Sequence, residues 1–178
     1  MKKMKKIIYS TLLISSFSIS YGQVSIGKEK SEGASTIFDF NNVKNTNGII
    51  LPAVTTTPAD LDATNNGGTF IFDQTDSKVK MYENGSWIDL SDSGDNSSIS
   101  NMNLNNASNE IGTGVIIGAD SSNAKGVLVL ESEDKAMVLP YIDMPEKNVK
   151  SPFPGMICYD STRNSIAIFD GKVWNYWK

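Results

Sequence analysis

The stretch Gly155-Met-Ile-Cys-Tyr-Asp160-Ser-Thr-Arg-Asn-Ser-Ile166-Ala-Ile-Phe169-Asp-Gly171-Lys-Val-Trp174 decides the fold, because its pattern already occurs as Gly68-Thr-Phe-Ile-Phe-Asp73-Gln-Thr-Asp-Ser-Lys-Val79-Lys-Met-Tyr82-Glu-Asn-Gly85-Ser-Trp87. Four residues are identical at a constant shift of 87 positions. They are Gly68, Asp73, Thr75 and Trp87, which return as Gly155, Asp160, Thr162 and Trp174. A spacing held without gaps over such a stretch is typical of a repeated unit, so the sequence predicts a tandem duplication.

Within each copy, apolar residues alternate at a spacing of two, which predicts short strands. Three pairs of strands follow from this alternation: Thr69 to Phe72 with Met156 to Tyr159, Lys78 to Tyr82 with Ser165 to Phe169, and Ser86 to Leu90 with Val173 to Trp177. Asn84-Gly85 and Asp170-Gly171 are typical of two-residue type I′ turns, which join antiparallel strands. Each copy is therefore predicted to contain an antiparallel meander.

Upstream of each meander the sequence predicts three further pairs of strands, each bounded by turn residues or by Pro. They are Val24 to Gly27 with Val115 to Gly118, Thr36 to Phe40 with Val127 to Glu131, and Asn47 to Pro52 with Lys135 to Pro140. In the connectors that follow, Pro58 and Pro145 could each start one helical turn. The predicted fold class is all-β: two tandem small antiparallel β-meander modules joined by a Ser/Asn-rich linker.

The predicted domain organisation has four parts. Residues 1–22 resemble a secretory signal, with four lysines at its start, an apolar run after them and small residues before Gln23. Residues 23–90 form the first β-repeat module, residues 91–110 the polar linker and residues 111–178 the second module. The linker prediction depends on six Ser and six Asn in twenty residues, a composition that buries little apolar area. Within this linker, a brief ordered segment at Ile99 to Leu104 is an open alternative.

The net charge of the chain limits the classes of partner that it can be expected to bind. The formal charge is −4, and removing the signal, which holds four lysines and no acid, takes it to −8. Phosphate backbones are bound by clustered Lys and Arg, whereas Arg163 is the only arginine and the mature lysines are scattered, so the sequence argues against nucleic acid. No segment after the signal is apolar enough to predict a membrane span. The predicted location is outside the cytoplasm: outer surface, extracellular medium or periplasm.

No catalytic, metal or cofactor site is predicted. The chain has no His, the usual catalytic base, and Cys158 is its only cysteine, flanked by apolar residues typical of burial. Asp73 and Asp160 are the acids that both copies retain, and a carboxylate pair could cleave glycosides, but Asp at a strand end is more typical of turn capping. For calcium, oxygen-bearing side chains at 73, 75 and 76, or at 160, 161 and 164, supply too few of the six or more ligands required.

The aromatic residues provide the candidate binding site. Trp87 and Trp174 occupy equivalent positions, which favours a packing role common to both copies. Tyr176 and Trp177 replace Asp89 and Leu90, and with Trp174 they are the candidate binding residues. These residues have three alternative roles: stacking on a sugar ring, docking a partner or filling a core. Because Ala167 and Tyr176 replace Lys80 and Asp89, we also expect this face to be a contact surface, towards the first module or another copy of the chain.

The Leu-Pro after the third strand, the Gly-x-hydrophobic-x-aromatic-Asp motif and the later Gly and Trp resemble those of exported Bacteroidota proteins with short β-repeats. Similar modules occur in phage tail-fibre-like proteins. The matching residues are Gly48, Leu51, Pro52, Gly68, Asp73, Gly85 and Trp87, and Leu139, Pro140, Gly155, Tyr159, Asp160, Gly171 and Trp174. The resemblance implies a surface or fibre role with no catalytic residue. The predicted function is a non-enzymatic structural or adhesive protein that associates with itself or another surface protein; the alternative is a carbohydrate-binding module that uses the C-terminal aromatics.

Overall fold

A computed structural model describes residues 23–33, 35–100 and 114–178, and this part of the chain is all-β. The first half, residues 23–100, contains seven strands and one short helix: β1 (Val24–Ile26), β2 (Thr36–Phe40), β3 (Ile49–Ile50), β4 (Ala53–Val54), β5 (Thr69–Asp73), β6 (Lys78–Glu83), β7 (Ser86–Asp89) and α1 (Ser97–Ser100). The second half, residues 114–178, contains the same number of strands and one helix: β8 (Val115–Ile117), β9 (Leu128–Leu130), β10 (Ala136–Met137), β11 (Tyr141–Ile142), α2 (Pro145–Asn148), β12 (Met156–Asp160), β13 (Ser165–Phe169) and β14 (Trp174–Trp177). The predicted signal, residues 1–22, and the rest of the predicted linker lie outside the described residues. No helix in the described ranges is long and apolar enough to cross a membrane.

The three-stranded antiparallel part of each half has the same register. In the first half Phe72 lies opposite Val79, and Tyr82 lies opposite Trp87. The residues 87 positions later pair in the same way, Tyr159 with Ile166 and Phe169 with Trp174. Short alternating strands fold back on themselves in this way because one face can then be buried while the other remains partly solvated.

The turn between the first two of these strands is also the same in both halves. Ser77 and Asn164 occupy equivalent positions and have φ angles of 57° and 53°, in the left-handed region that non-glycine residues rarely adopt. The strand before the turn begins after Gly68 and Gly155, whose φ angles are 82° and 81°. The backbone thus repeats its uncommon conformations at the spacing at which the sequence repeats.

The second hairpin turn differs between the halves, and one prediction was wrong here. Asn84 and Gly85 both have positive φ, as a type I′ turn requires. In the second half, the residues at those positions are Gly171 and Lys172, and only Gly171 has positive φ. Asp170 is not a central turn residue; its carboxylate accepts hydrogen bonds from the backbone N–H groups of Lys172 and Val173 at 2.7 and 2.8 Å.

Several strand pairs are parallel, which an antiparallel meander does not include. β4 pairs with β5 and β11 pairs with β12, and the pairs β1–β2 and β8–β9 are also parallel. A parallel neighbour requires a connection that crosses back to the same end of the sheet. The connectors after β4 and β11 make that crossing. Pro145 begins α2 in the second connector, as predicted, whereas no helix begins at Pro58 in the first.

Strands also pair across the two halves. β3 of the first half lies antiparallel to β12 of the second, with Ile50 opposite Met156. β10 of the second half lies parallel to β2 of the first, with Met137 opposite Phe38. Each half therefore completes a sheet in the other.

The largest buried core contains residues from both halves. It is formed by Phe72, Val79, Leu90, Ile99, Ile157 and Ile168. Because side chains alternate along a strand, the sheet faces that carry these residues turn towards each other and the opposite faces point outwards. The halves pack together through this core, which increases the apolar area that a single half of this size could bury.

The start of the predicted linker contributes to this packing. Ile99, in α1, is only 1% exposed and belongs to the shared core. Just before it, the Gly94 N–H donates to the Ser77 carbonyl at 2.8 Å and the Asp95 N–H donates to the Asp170 carbonyl at 3.0 Å. Residues 91–100 therefore connect a turn of the first half to a turn of the second.

Candidate functional site

Asp73 lies at the end of β5 and is almost fully buried. Its carboxylate accepts hydrogen bonds from the backbone N–H of Thr75 at 2.9 Å and from Lys80 Nζ at 2.7 Å. Burial alone would raise the pKa of Asp73, but the hydrogen bonds from Lys80 and Thr75 outweigh it and lower the pKa. The carboxylate caps the turn, as predicted.

Asp160 caps the equivalent turn at the end of β12, where its carboxylate pairs with a different cation. It accepts hydrogen bonds from the Thr162 N–H at 2.9 Å, from the Met144 N–H at 3.3 Å and from the Arg163 guanidinium at 2.7 Å. Burial would raise its pKa, and the Arg163 and backbone donors lower it. Arg163 is three residues after Asp160, whereas Lys80 is seven residues after Asp73, so each buried carboxylate has its own cation from a different position.

The turn that begins at Asp73 contains several oxygen-bearing side chains, and the cation among them is the ammonium group of Lys80. Lys80 Nζ lies 2.7 Å from Asp73 and 2.6 Å from Asp76, between two of the carboxylates of the first turn. Across the described ranges, no group of three or more His, Cys, Asp or Glu side chains is arranged to hold a metal ion.

Cys158 is fully buried on the outward face of β12, in a small cluster with Ile142 and Ala167. Burial raises the pKa of its thiol to about 12. A thiol in this environment stays protonated and behaves as a small apolar residue.

A shallow groove of about 540 Å³ lies beside β14 on this outward face, and we call it the C-terminal groove. Its lining residues come from the second half alone: Glu146, Val149, Pro152, Arg163, Phe169, Lys172, Val173, Trp174 and Tyr176. Trp174 and Tyr176 are two positions apart on β14 and therefore point to the same side. The structure thus brings two of the three candidate aromatics into one site.

Trp177 lies elsewhere. As the next residue after Tyr176 on β14 it points to the opposite face, where its indole N–H donates to the Leu90 carbonyl. Leu90 is the position equivalent to Trp177 in the first half, so this bond joins matching points of the two halves. Trp177 connects the halves and does not line the groove, although 45% of it is exposed.

One ionic and aromatic network forms a wall of the groove. Arg163 donates to both carboxylate oxygens of Glu146, at 2.7 and 2.9 Å, and its guanidinium lies 4.7 Å from the ring centre of Tyr176. The Tyr176 hydroxyl donates to Glu146 at 2.9 Å. The Arg163 hydrogen bonds lower the pKa of Glu146 to about 2, while burial and then the Glu146 carboxylate raise the pKa of Tyr176. The network therefore contacts Tyr176 at both its ring and its hydroxyl.

Sequence reasoning did not identify the charged residues of this groove. Arg163, Lys172 and Glu146 line it beside the aromatics. A signal was present for two of them, since a position-by-position comparison of the copies replaces Asp76 by Arg163 and Gly85 by Lys172. Glu146 belongs to a connector that differs between the copies, so no such comparison identifies it.

The expected contact surface behaves differently at its two positions. Ala167 is fully buried, next to Cys158 and beneath Val149 and Trp174 of its own half. The first half packs against the other face of this sheet, so Ala167 makes no contact surface towards it. Tyr176 remains 36% exposed.

Trp87 and Trp174 make the same contact in both halves. Trp87 packs against Tyr82 and Trp174 against Phe169, each with ring centres 5.3 Å apart. The fold therefore defines an all-β protein in which a four-stranded sheet of the first half and a five-stranded sheet, made of four strands of the second half and β3, contribute to a common core. Searches against family models, curated proteins and solved structures find no match to this chain.

Proposed function

We propose that this chain is a secreted or cell-surface β-repeat protein with a structural or adhesive, fibre-like role, that it is not an enzyme, and that it associates with itself. In this proposal, an ancestral β-unit was duplicated, and the two modules became joined by exchanged strands. The residues that both copies retain maintain the shape of each copy. Export rests on the basic and apolar residues 1–22.

The observation that carries the proposal is the set of hydrogen bonds made by Asp73 and Asp160, the acids that both copies retain. Asp73 and Asp160 each accept backbone and cationic donors within their own turn, and their pKa values are lowered. A general acid near neutral pH requires a raised pKa, so these carboxylates favour a structural role.

Two measurements test this proposal. Cells that produce the protein are fractionated, and the protein is expected outside the cytoplasm with residues 1–22 removed, as judged by intact mass. Light scattering on the purified protein is expected to give a mass above that of one chain, rising with concentration. An uncleaved cytoplasmic protein would contradict the proposed location, and a single-chain mass at every concentration would contradict self-association.

A carbohydrate-binding role is the second candidate, and the C-terminal groove favours it. Trp174 and Tyr176 share one face of β14, and aromatic rings beside polar groups are typical of sugar sites. On a glycan array, Tyr176→Ala should lose the signal, whereas Trp177→Ala, on the opposite face, should keep it if the variant remains folded. No signal from the wild-type protein on a broad array would count against this role.

A further inference from the structure

The two-stranded sheet β8–β9 corresponds to part of a three-stranded sheet in the first half. β8 and β9 pair in parallel, as β1 and β2 do. The register is also the same. The Asn41 N–H donates to the Ile26 carbonyl at 2.9 Å, and after β9 the Glu131 N–H donates to the Ile117 carbonyl at 2.9 Å. β2 has β10 on its other edge, whereas no strand in the described ranges pairs with the other edge of β9. Because two strands alone are marginally stable, this edge is a place for a third strand.

Apolar side chains at the start of β9 are exposed where those of β2 are buried. By the shared register, Ile37 and Phe38 correspond to Val127 and Leu128. The first two are buried, whereas Val127 is 56% exposed and Leu128 is 44% exposed. The Val127 carbonyl accepts a hydrogen bond from the Val115 N–H of β8, so by alternation the backbone groups of Leu128 face away from β8. We call this the β9 edge. An open edge with exposed apolar side chains is a template for pairing with another strand.

β10 shows what kind of segment covers such an edge. The Ala136 N–H donates to the Ser35 carbonyl at 2.8 Å, and the Val138 N–H donates to the Phe38 carbonyl at 3.0 Å. The segment that covers β2 is thus the short apolar run that ends in Leu-Pro. It comes from the other half of the chain.

The first half contains an equivalent segment with a free edge. Ile50 corresponds to Val138, since each directly precedes a Leu-Pro. The Leu51 N–H donates to the Gly155 carbonyl at 3.1 Å, so Ile49 and Leu51 face β12 and the backbone groups of Ile50 face the other way. Ile50 is 52% exposed, and within the described part of the chain no strand pairs with this side of β3. We call it the β3 edge.

The same arrangement in the second half provides the geometry for a strand at this position. The Pro52 carbonyl accepts a hydrogen bond from the Phe72 N–H of β5, and the Pro140 carbonyl accepts one from the Tyr159 N–H of β12, both at 2.9 Å. In the second half, β2 lies beside β10 on this same edge, just before the proline. The space beside Ile50 therefore corresponds to the space that β2 fills beside β10.

We infer that the β3 edge of one copy of this chain pairs in parallel with the β9 edge of a second copy, so that the Ile50 N–H donates to the Leu128 carbonyl. The inference rests on the proposed self-association and specifies its contact. The occupant is a second copy because this pairing continues the contact that β10 and β2 make between the two halves, and because one copy presents both edges.

The exchange of strands within the chain runs in one direction. β10 of the second half pairs with β2 of the first, but β3 of the first half pairs with β12 and not with β9. A contact between copies therefore joins two different edges. Such a contact repeats into a filament unless the rotation between copies closes a ring.

Lysine substitutions at the two edges test the contact, since a charged side chain on an edge strand opposes pairing. Ile50→Lys blocks the β3 edge and Leu128→Lys blocks the β9 edge, and each variant alone should associate at least about tenfold more weakly than wild type. In an equimolar mixture, the intact β9 edge of the Ile50→Lys copy can still pair with the intact β3 edge of the Leu128→Lys copy. The mixture should therefore form pairs of chains and nothing larger, whereas wild type should form species of three or more chains. Val173→Lys is the matched control, because it also replaces an exposed apolar residue by lysine but lies on neither edge.

Sedimentation velocity over a range of concentrations gives the sizes and the association constants, and far-UV circular dichroism checks that the variants fold. If wild type associates and either edge variant associates equally well, or if the mixture does not pair, the inference is overturned while the proposed self-association stands. Loss of association in Val173→Lys alone would overturn it too, and would place the contact at the C-terminal groove. A wild-type protein that stays a single chain at every concentration overturns both. A lower Tm for Leu128→Lys than for Val173→Lys would then show that the protein's own chain covers the β9 edge.

Discussion

The shared core predicts that the two halves unfold as one unit, and a matched pair of isoleucines tests this. Ile168 and Ile166 lie on the same side of β13, but Ile168 is 1% exposed in the shared core and Ile166 is 37% exposed. Ile168→Ala removes buried methyl groups and leaves a cavity, which costs about 2–5 kcal/mol of unfolding free energy. For a protein of this size, a loss of about 3 kcal/mol lowers Tm by roughly 6–12 °C. Ile166→Ala makes the same change in a strand at an exposed position and should cost less than about 1 kcal/mol.

The assay must report the half that does not carry the substitution. The chain has three tryptophans, so a background with Trp174→Phe and Trp177→Phe leaves Trp87 as the only indole, in the first half. Ile168→Ala lies in the second half, yet we expect the fluorescence transition of Trp87 to shift by the same free energy as the far-UV circular dichroism transition. A Trp87 transition that stays in place while circular dichroism shows two steps would refute the shared core as the source of stability.

Three further outcomes follow from individual sites. Gly155→Ala should destabilise the protein more than Gly68→Ala in denaturant titrations. Both glycines have positive φ, which costs of order 1 kcal/mol for alanine, but a Cβ at Gly155 lies 3.0 Å from Phe72 Cβ, whereas one at Gly68 meets nothing within 4 Å. Equal losses of stability in the two variants would contradict the close approach. Cys158 should resist thiol reagents at pH 8 in the native protein and react fully in denaturant, since its thiol pKa is about 12 when folded, and rapid native labelling would show that the site opens. The pKa of Asp160 is lowered in the folded state from 3.8, so its stabilisation is complete above that value and is lost as the pH falls through the folded pKa. Asp160→Asn should therefore lower stability at neutral pH and flatten the decline on acidification, and an unchanged acid profile would show that the carboxylate contributes nothing.

The predictions that agree with the structure depend on residues close together in the chain. The strands around Asp73 and Asp160 follow from alternation, and the capping role follows from the preference of Asp for the end of a strand. The hairpin at Asn84-Gly85 depends on only two residues. At Asp170-Gly171 the same reasoning placed the central turn residues one position too early. The Asp170 carboxylate accepts hydrogen bonds from backbone N–H groups, whereas in a type I′ turn a backbone carbonyl would be the acceptor.

Other predictions that needed correction concern contacts between distant residues. Trp177 and Tyr176 are adjacent in sequence, and only the assembled sheet shows that one bonds to Leu90 of the other half and the other faces the groove. The parallel pairs and the exchanged strands β3 and β10 depend on how connectors cross the molecule, which local pattern does not record.

By itself the sequence determined the repeat, the all-β class, the capped turns and the burial-prone cysteine, because each depends on local backbone preference or on the alternation of one strand. The tertiary structure decided which face of each sheet became core and which became surface. That choice depends on the total apolar area the chain can bury, and burying Phe72 against Ile157 and Ile168 joins the halves through their inner faces. The faces that carry Asp73 and Asp160 point outwards as a consequence of that burial.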